Sequence, residues 1–187
     1  NSSSEQNSTS KVFLGLDIST SCTGWAIIDE KGNFIDMGWF DLSSKDSFYD
    51  RADLIEEGLR KLPKPQCVFV EEHVLGFRAG MSSAGIIVTL AKFNAVVCHI
   101  CWKIWGIKPK TIMVKTARST VGLKVPKGEN AKEHVVAWAV SRTPSTAWKT
   151  RVVKVGKRKG QTEYVHGSID AADAFLLVNA GLKIHKK

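Results

Sequence analysis

The chain has 187 residues, 43% of them hydrophobic, which is enough for one domain with a substantial core and too short for two comfortable ones. Its 27 Lys and Arg against 18 Asp and Glu leave a net charge of +9, which favours nucleic acid or an anionic membrane surface as partner. The four cysteines, Cys22, Cys67, Cys98 and Cys101, have no spacing suited to a secreted disulfide scaffold, so an intracellular, reducing compartment is expected.

Residues 1–10 are polar and read as a disordered tail, neither a signal h-region nor an Arg-rich transit helix. A polar tail without a start Met points to processing, and so to an organelle such as the mitochondrion. Residues 12–18 are an apolar run with Asp17 near its far end, predicting a buried strand that emerges into the turn residues Ser19, Thr20 and Ser21. Residues 23–28 and 33–40 predict two more strands, joined by a hairpin through Asp29, Glu30, Lys31 and Gly32. Between residues 46 and 62, Leu54, Ile55, Leu59 and Leu62 recur at helical spacing, and Pro63 and Pro65 stop the helix.

Residues 67–70 predict a fourth strand that runs into Glu71 and Glu72. Strand alternation lets only one of two adjacent acids point inward, and Glu71, directly after the apolar run, is the choice. A loop over residues 75–81 carries Phe77 and Arg78 between glycines. The greasy stretch 84–105 is interrupted by Lys92, Asn94, His99 and Lys103, which predicts a buried helix rather than a membrane span. Phe93, Trp102, Trp105 and Trp138 are expected in the core. Cys98 and Cys101 read as buried thiols, because no second pair of zinc ligands follows them.

A fifth strand is predicted over residues 111–114, followed by Lys115 and Arg118, then a helix over residues 129–140. Residues 142–166 read as an inserted, exposed basic β-hairpin turning near residues 157–160. A helix beginning near Asp170 closes the domain at residue 182, and residues 183–187 form a basic tail. Arg118, Lys124, Lys127, Arg151, Lys154, Lys157, Arg158 and Lys159 read as contacts to a nucleic-acid backbone, salt-dependent and indifferent to sequence.

Within that last helix, Asp170 and Asp173 stand three residues apart among small and apolar neighbours, so both project from one face. Isolated charges there are costly, and two compensations are open: capping of the helix start, or a metal ion.

The combination of Gly15-Leu16-Asp17 with Thr23-Gly24-Trp25, then Phe69-Val70-Glu71, then Asp170-Ala171-Ala172-Asp173-Ala174 resembles the RuvC family of Holliday-junction resolvases, within the RNase H-like superfamily. The resemblance spans nearly all of residues 12–181. It implies an α/β, RNase H-like fold: a five-stranded mixed sheet flanked by helices, here with the basic hairpin inserted. It also implies a metal-dependent endodeoxyribonuclease that resolves four-way, branched double-stranded DNA by phosphodiester hydrolysis, a function in DNA recombination and repair. Such an enzyme works as a homodimer, and helix 84–105 is the surface expected for it.

Hydrolysis of a phosphodiester by in-line attack is served by two Mg²⁺ or Mn²⁺ ions per site, hard cations that take carboxylate oxygens. Asp17 would bridge the ions, Glu71 and Asp170 would each complete one side, and Asp173 would bind directly or through water. The resemblance places Lys115 and Lys132 near the scissile phosphate and Phe77 as a wedge that unstacks a base step. Longer spacing after Glu71 and the long 142–166 segment depart from the family pattern. Two other readings fit the same residues: a non-catalytic RNase H-fold subunit of a ribonucleoprotein particle, and an RNase H-type ribonuclease. An actin-like or sugar-kinase ATPase, suggested by Thr23-Gly24, needs a second lobe.

Overall fold

A computed structural model describes residues 11–72 and 84–186. The tail 1–10 and the loop carrying Phe77 and Arg78 lie outside the described residues. Five strands form one mixed sheet in the order β3-β2-β1-β4-β5, built from β1 (Val12–Asp17), β2 (Cys22–Asp29), β3 (Phe34–Asp41), β4 (Cys67–Glu71) and β5 (Lys110–Ile112). The first three are antiparallel neighbours, while β4 and β5 run parallel to β1. This is the expected mixed sheet, with β1 at its centre.

Strand alternation sends the two sides of the sheet into two cores. On one face Leu14, Leu16, Val68 and Val70 pack with Ile55 and Leu59 of α1 (Phe48–Arg60) and with Phe93, Val97, Ile100 and Cys101 of α2 (Ala84–Trp105). On the other face Phe13, Ala26, Ile28 and Phe69 pack against Ala171, Ala174, Phe175 and Val178 of α5 (His166–His185). Two further helices, α3 (Val114–Thr120) and α4 (Ala131–Val140), lean on α5 from outside. Ser47 caps α1 and Asn130 caps α4, each accepting from a backbone N–H of the first turn.

Closeness between α5 and the sheet depends on glycine. A Cβ on Gly15 would stand 2.2 Å from the carbonyl oxygen of Ala174, and one on Gly24 would stand 2.2 Å from that of Asp170. Both contacts are far inside van der Waals range, so only hydrogen fits and the helix backbone lies directly on β1 and β2. Gly167 and Gly181 do the same for the rings of Trp39 and Phe69.

Four sequence expectations change. Helix α5 begins at His166, four residues before Asp170, after Val165, which provides no side-chain cap. Asp170 and Asp173 therefore lie beyond its first turn, and capping plays no part for either. The same helix continues to His185, so Lys183 belongs to its last turn rather than to a separate tail. The fifth strand is not the expected 111–114: β5 ends at Ile112, and Val114 opens a helix, α3, which carries Lys115 and Arg118.

The fourth change concerns α2, which is apolar on both sides and buried on only one. It is long and apolar enough to cross a membrane by length and composition. Phe93, Val97 and Cys101 are fully enclosed, and Trp105 nearly so, whereas Ile86, Val88 and Trp102 are exposed, Trp102 by 56%. Trp102 is thus not a core residue. Trp138, by contrast, packs against Phe175 with ring centroids 5.4 Å apart.

Residues 142–166 contain a single 3-10 turn, Ser145–Ala147, and then the expected antiparallel hairpin of β6 (Thr150–Val152) and β7 (Thr162–Tyr164). Gly156 and Gly160 take positive φ of 81° and 86° in its turn, a conformation that glycine adopts without strain. Trp148 anchors the base of the hairpin, its ring 4.9 Å from that of Tyr164 and its indole N–H donating to Thr143 Oγ1.

Candidate metal centre

Three carboxylates meet at one end of the sheet. Asp17 ends β1 on the face that carries α5, and in the ladder it stands opposite Gly24. Because Gly24 admits the backbone of Asp170, the second turn of α5 is set down beside Asp17. Carboxylate oxygens of Asp17, Asp170 and Asp173 consequently lie within 4.8 Å of one another. Glu71 ends β4, the parallel neighbour of β1, on the same face; it stands at the edge of this group rather than inside it. Its neighbour Glu72 is exposed and donates its backbone N–H to Ile112.

The electrostatics of the group are those of crowded acids. Burial, followed by the charges of Asp173, Asp170 and Glu71, pushes the Asp17 carboxyl well above its usual value, with Lys132 opposing. Burial and Asp173 raise Glu71, against Arg118 and Lys132. Asp173 is raised by burial and by Asp170, although the Lys132 ammonium and Arg118 pull the other way. Lys132 reaches in from α4, with Nζ 3.8 Å from Asp170 Oδ1 and 3.5 Å from Asp173 Oδ2. Burial works against its charge, yet Asp173, Asp170 and Asp17 more than offset that, and its net shift is upward. Two cations, Lys132 and Arg118, thus face four acids, and the deficit of positive charge is the main fact about the site.

A divalent cation fits that deficit. Asp170 is 5% exposed, and its Oδ2 is buried without a well-formed hydrogen bond, although His166 Nδ1 stands 3.0 Å away. Its oxygens, with those of Asp17 and Asp173, form an all-carboxylate donor set of the type hard cations take.

The remaining expected residues fall into four groups. Arg118, on α3, faces inward: its Nε is buried without a hydrogen-bond partner and its charge acts on Glu71 and Asp173. Lys115, one turn earlier on α3, is exposed and makes no ion pair among the described residues. Lys124 and Lys127 are exposed in the loop between α3 and α4. On the hairpin, Arg151 and Arg158 both bind Glu163, at 2.8 and 3.0 Å, while Lys154, Lys157 and Lys159 are exposed. Phe77 and Arg78 lie outside the described residues.

Two neighbours of the acids carried no sequence signal of their own. Cys22, opposite Asp41 in the β2–β3 ladder, has its thiol pushed far up by burial and then by the neighbouring Asp170 carboxylate. His166 lies one helical turn before Asp170, on the same side of α5. Placing the start of α5 at residue 166 would have put His166 on the acidic face; for Cys22 only the strand pairing could.

No family model matches the chain, and no curated protein matches it. Solved structures do. RuvC of T. thermophilus in complex with a Holliday junction substrate superposes with a TM-score of 0.65 over 94% of this chain and 95% of that one, at 12% identity. A second Thermus thermophilus RuvC structure gives 0.58 over the same shares, at 13% identity. The chain has the RuvC fold. That likeness runs through the whole described domain, from the central β1 to the acidic helix α5, and agrees with the resemblance carried by the Asp17, Glu71 and Asp170 motifs.

Proposed function

We propose that the protein is a metal-dependent, structure-selective endodeoxyribonuclease that resolves four-way DNA junctions as a homodimer. The observation that carries the reading is the convergence of Asp17, Asp170 and Asp173 within 4.8 Å in a chain of net charge +9. Three mutually repelling acids held together by backbone packing are an expensive arrangement for a surface that only binds nucleic acid. Such a cluster is suited to hold cations against a phosphodiester. The RuvC structure of similar fold is bound to a Holliday junction substrate, which supports the choice of substrate.

Bound Mg²⁺ or Mn²⁺, two ions per site, would supply a nucleophilic water and stabilise the leaving oxygen. Asp17, Asp170, Asp173 and Glu71 are the residues that would hold them. Lys132, already at the acids, is placed to neutralise charge that develops on the phosphate. Arg118, on α3, partly offsets the burial and repulsion that raise Glu71 and Asp173. The exposed cations of the hairpin and of the α3–α4 loop bind phosphates away from the reaction and orient the arms of the junction.

Two-fold symmetry suits a substrate cut on two strands. The exposed apolar flank of α2, with Val88 and Trp102, supports that helix as the dimer surface.

The test is cleavage of a synthetic four-way junction with Mg²⁺, comparing the parent chain with Asp17→Asn and Asp170→Asn. Paired nicks that require metal and vanish in both variants are expected. Tight binding with no cutting by the parent chain would leave the non-catalytic subunit as the better reading, and preferential cutting of an RNA–DNA hybrid would make the protein a ribonuclease.

A further inference from the structure

The basic hairpin stands away from the sheet, and between it, α4 and the start of α5 is a cavity of about 880 Å³. Its floor is apolar: Val136 and Ala137 on α4, Ile169 on α5, and the ring of Tyr164 on β7. Arg151 and Arg158 line the hairpin side, both tethered to Glu163. Glu133 also lines the cavity and accepts from the side-chain amide of Asn130.

The remaining wall is shared with the metal centre. Lys132 and His166 both line the cavity, and both stand against Asp170, at 3.8 and 3.0 Å. Whatever occupies the cavity therefore lies next to a phosphate positioned at the acids. A duplex is far too wide to enter. One nucleotide is not, since the volume falls in the range of small-molecule sites, roughly 300–1,000 Å³. An apolar floor with an aromatic ring suits the face of a base, and two guanidinium groups held in place by a carboxylate suit its phosphate.

We propose that this cavity receives one unstacked nucleotide of the strand cut at the acids, its base against Val136, Ala137 and Tyr164 and its phosphate on Arg151 and Arg158. The proposal rests on the nuclease reading above and adds a source of substrate choice to it. Unstacking a nucleotide within a continuous duplex costs a few kcal/mol, and least where pairing is already broken or strained. A site that must take one nucleotide out of the stack thus favours a branch point over linear duplex, through residues of the hairpin.

The experiment uses the full chain carrying Asp17→Asn, which is to bind without cutting, and four-way junctions with 5-iododeoxyuridine at successive positions around the crossover. Irradiation is expected to attach one or two of these positions to the peptide containing Tyr164, located by mass spectrometry. Ala137→Trp fills the cavity from an exposed helical position, and should reduce that crosslink at least tenfold. In the chain with Asp17 intact it should slow junction cleavage about tenfold, the worth of one base stack. Arg158→Ala, on the exposed turn, is expected to act in the same direction. Junctions that are bound and cut normally, with crosslinks only elsewhere or undiminished by Ala137→Trp, would overturn the proposal and leave the nuclease standing. A chain that binds no junction at all would overturn both.

Discussion

Gly24 and the backbone of Asp170 are in direct contact: a Cβ at Gly24 would stand 2.2 Å from the Asp170 carbonyl oxygen. Gly24 is also the ladder partner of Asp17. One hydrogen atom in place of a methyl group is therefore what allows α5 to bring its acids to the end of β1. Gly24→Ala should push α5 off the sheet, costing about 1–3 kcal/mol as overpacking does. A lowered urea midpoint and a larger fractional loss of Mg²⁺-dependent cleavage than of DNA binding are expected. Unchanged metal-dependent activity would show that the contact does not set the site.

Stability of the metal-free protein should fall as pH rises, and metal should flatten that dependence. Asp17, Glu71 and Asp173 all have folded-state pKa values raised by burial and by neighbouring carboxylates. A raised carboxyl pKa means that the folded state holds its proton more tightly than the unfolded chain, so the stabilisation is present at low pH and is lost as pH rises. Metal-free protein should accordingly lose stability from about pH 4 upward, through the raised values. Urea midpoints measured across this range with chelator should fall with pH. Mg²⁺ should flatten that slope, and so should Asp17→Asn without metal. A metal-free slope of opposite sign would refute the mutual repulsion.

Lys132 and Lys115 are expected to differ sharply although each was assigned to the scissile phosphate on resemblance. Lys132 stands 3.5 Å from Asp173, whereas Lys115 is exposed on α3 with no ion pair among the described residues. Lys132→Gln should lower kcat by roughly 10²-fold with little change in junction affinity, the loss typical of a donor aimed at developing charge. Lys115→Gln should change kcat by less than about threefold and act, if at all, on the salt dependence of binding. Equal effects on kcat would contradict this placement.

Trp102 is a large aromatic residue, 56% exposed, on the flank of α2 that also exposes Ile86 and Val88. Trp102→Glu leaves the buried flank untouched. Sedimentation should show a dimer for the parent chain and a monomer for the variant. Junction cleavage by the monomer should give single nicks in place of paired ones. A monomeric parent chain that still makes paired nicks would remove α2 from the interface.

Much of this site could be read before any coordinates, because its acids end or follow apolar runs that can only be buried. Asp17 and Glu71 close the runs at residues 12–16 and 67–70, and the run after Asp173 is too apolar to be anything but interior. Other features were misplaced for physical reasons. Gly167 and Ser168 look like turn residues, yet they are helical because the ring of Trp39 packs on Gly167 and rewards helix there over the local preference. β-branched Val114 suggests the end of a strand over residues 111–114, yet packing of Ala117 against the core makes Val114 the first residue of α3.

What the sequence by itself determined is the order of strands and acids, since alternation and apolar length follow from local covalent periodicity. It also supplied an all-carboxylate donor set, of the type suited to a hard cation rather than to zinc held by Cys or His. Only the tertiary structure decided that Arg118, Cys22 and His166 join those acids, that Lys132 does so and Lys115 does not, and that one flank of α2 is exposed. Such proximity is set by non-local packing, above all by glycines in β1 and β2 that let a helix more than 140 residues distant lie on their backbone, and no local pattern records which distant backbone will fill the space.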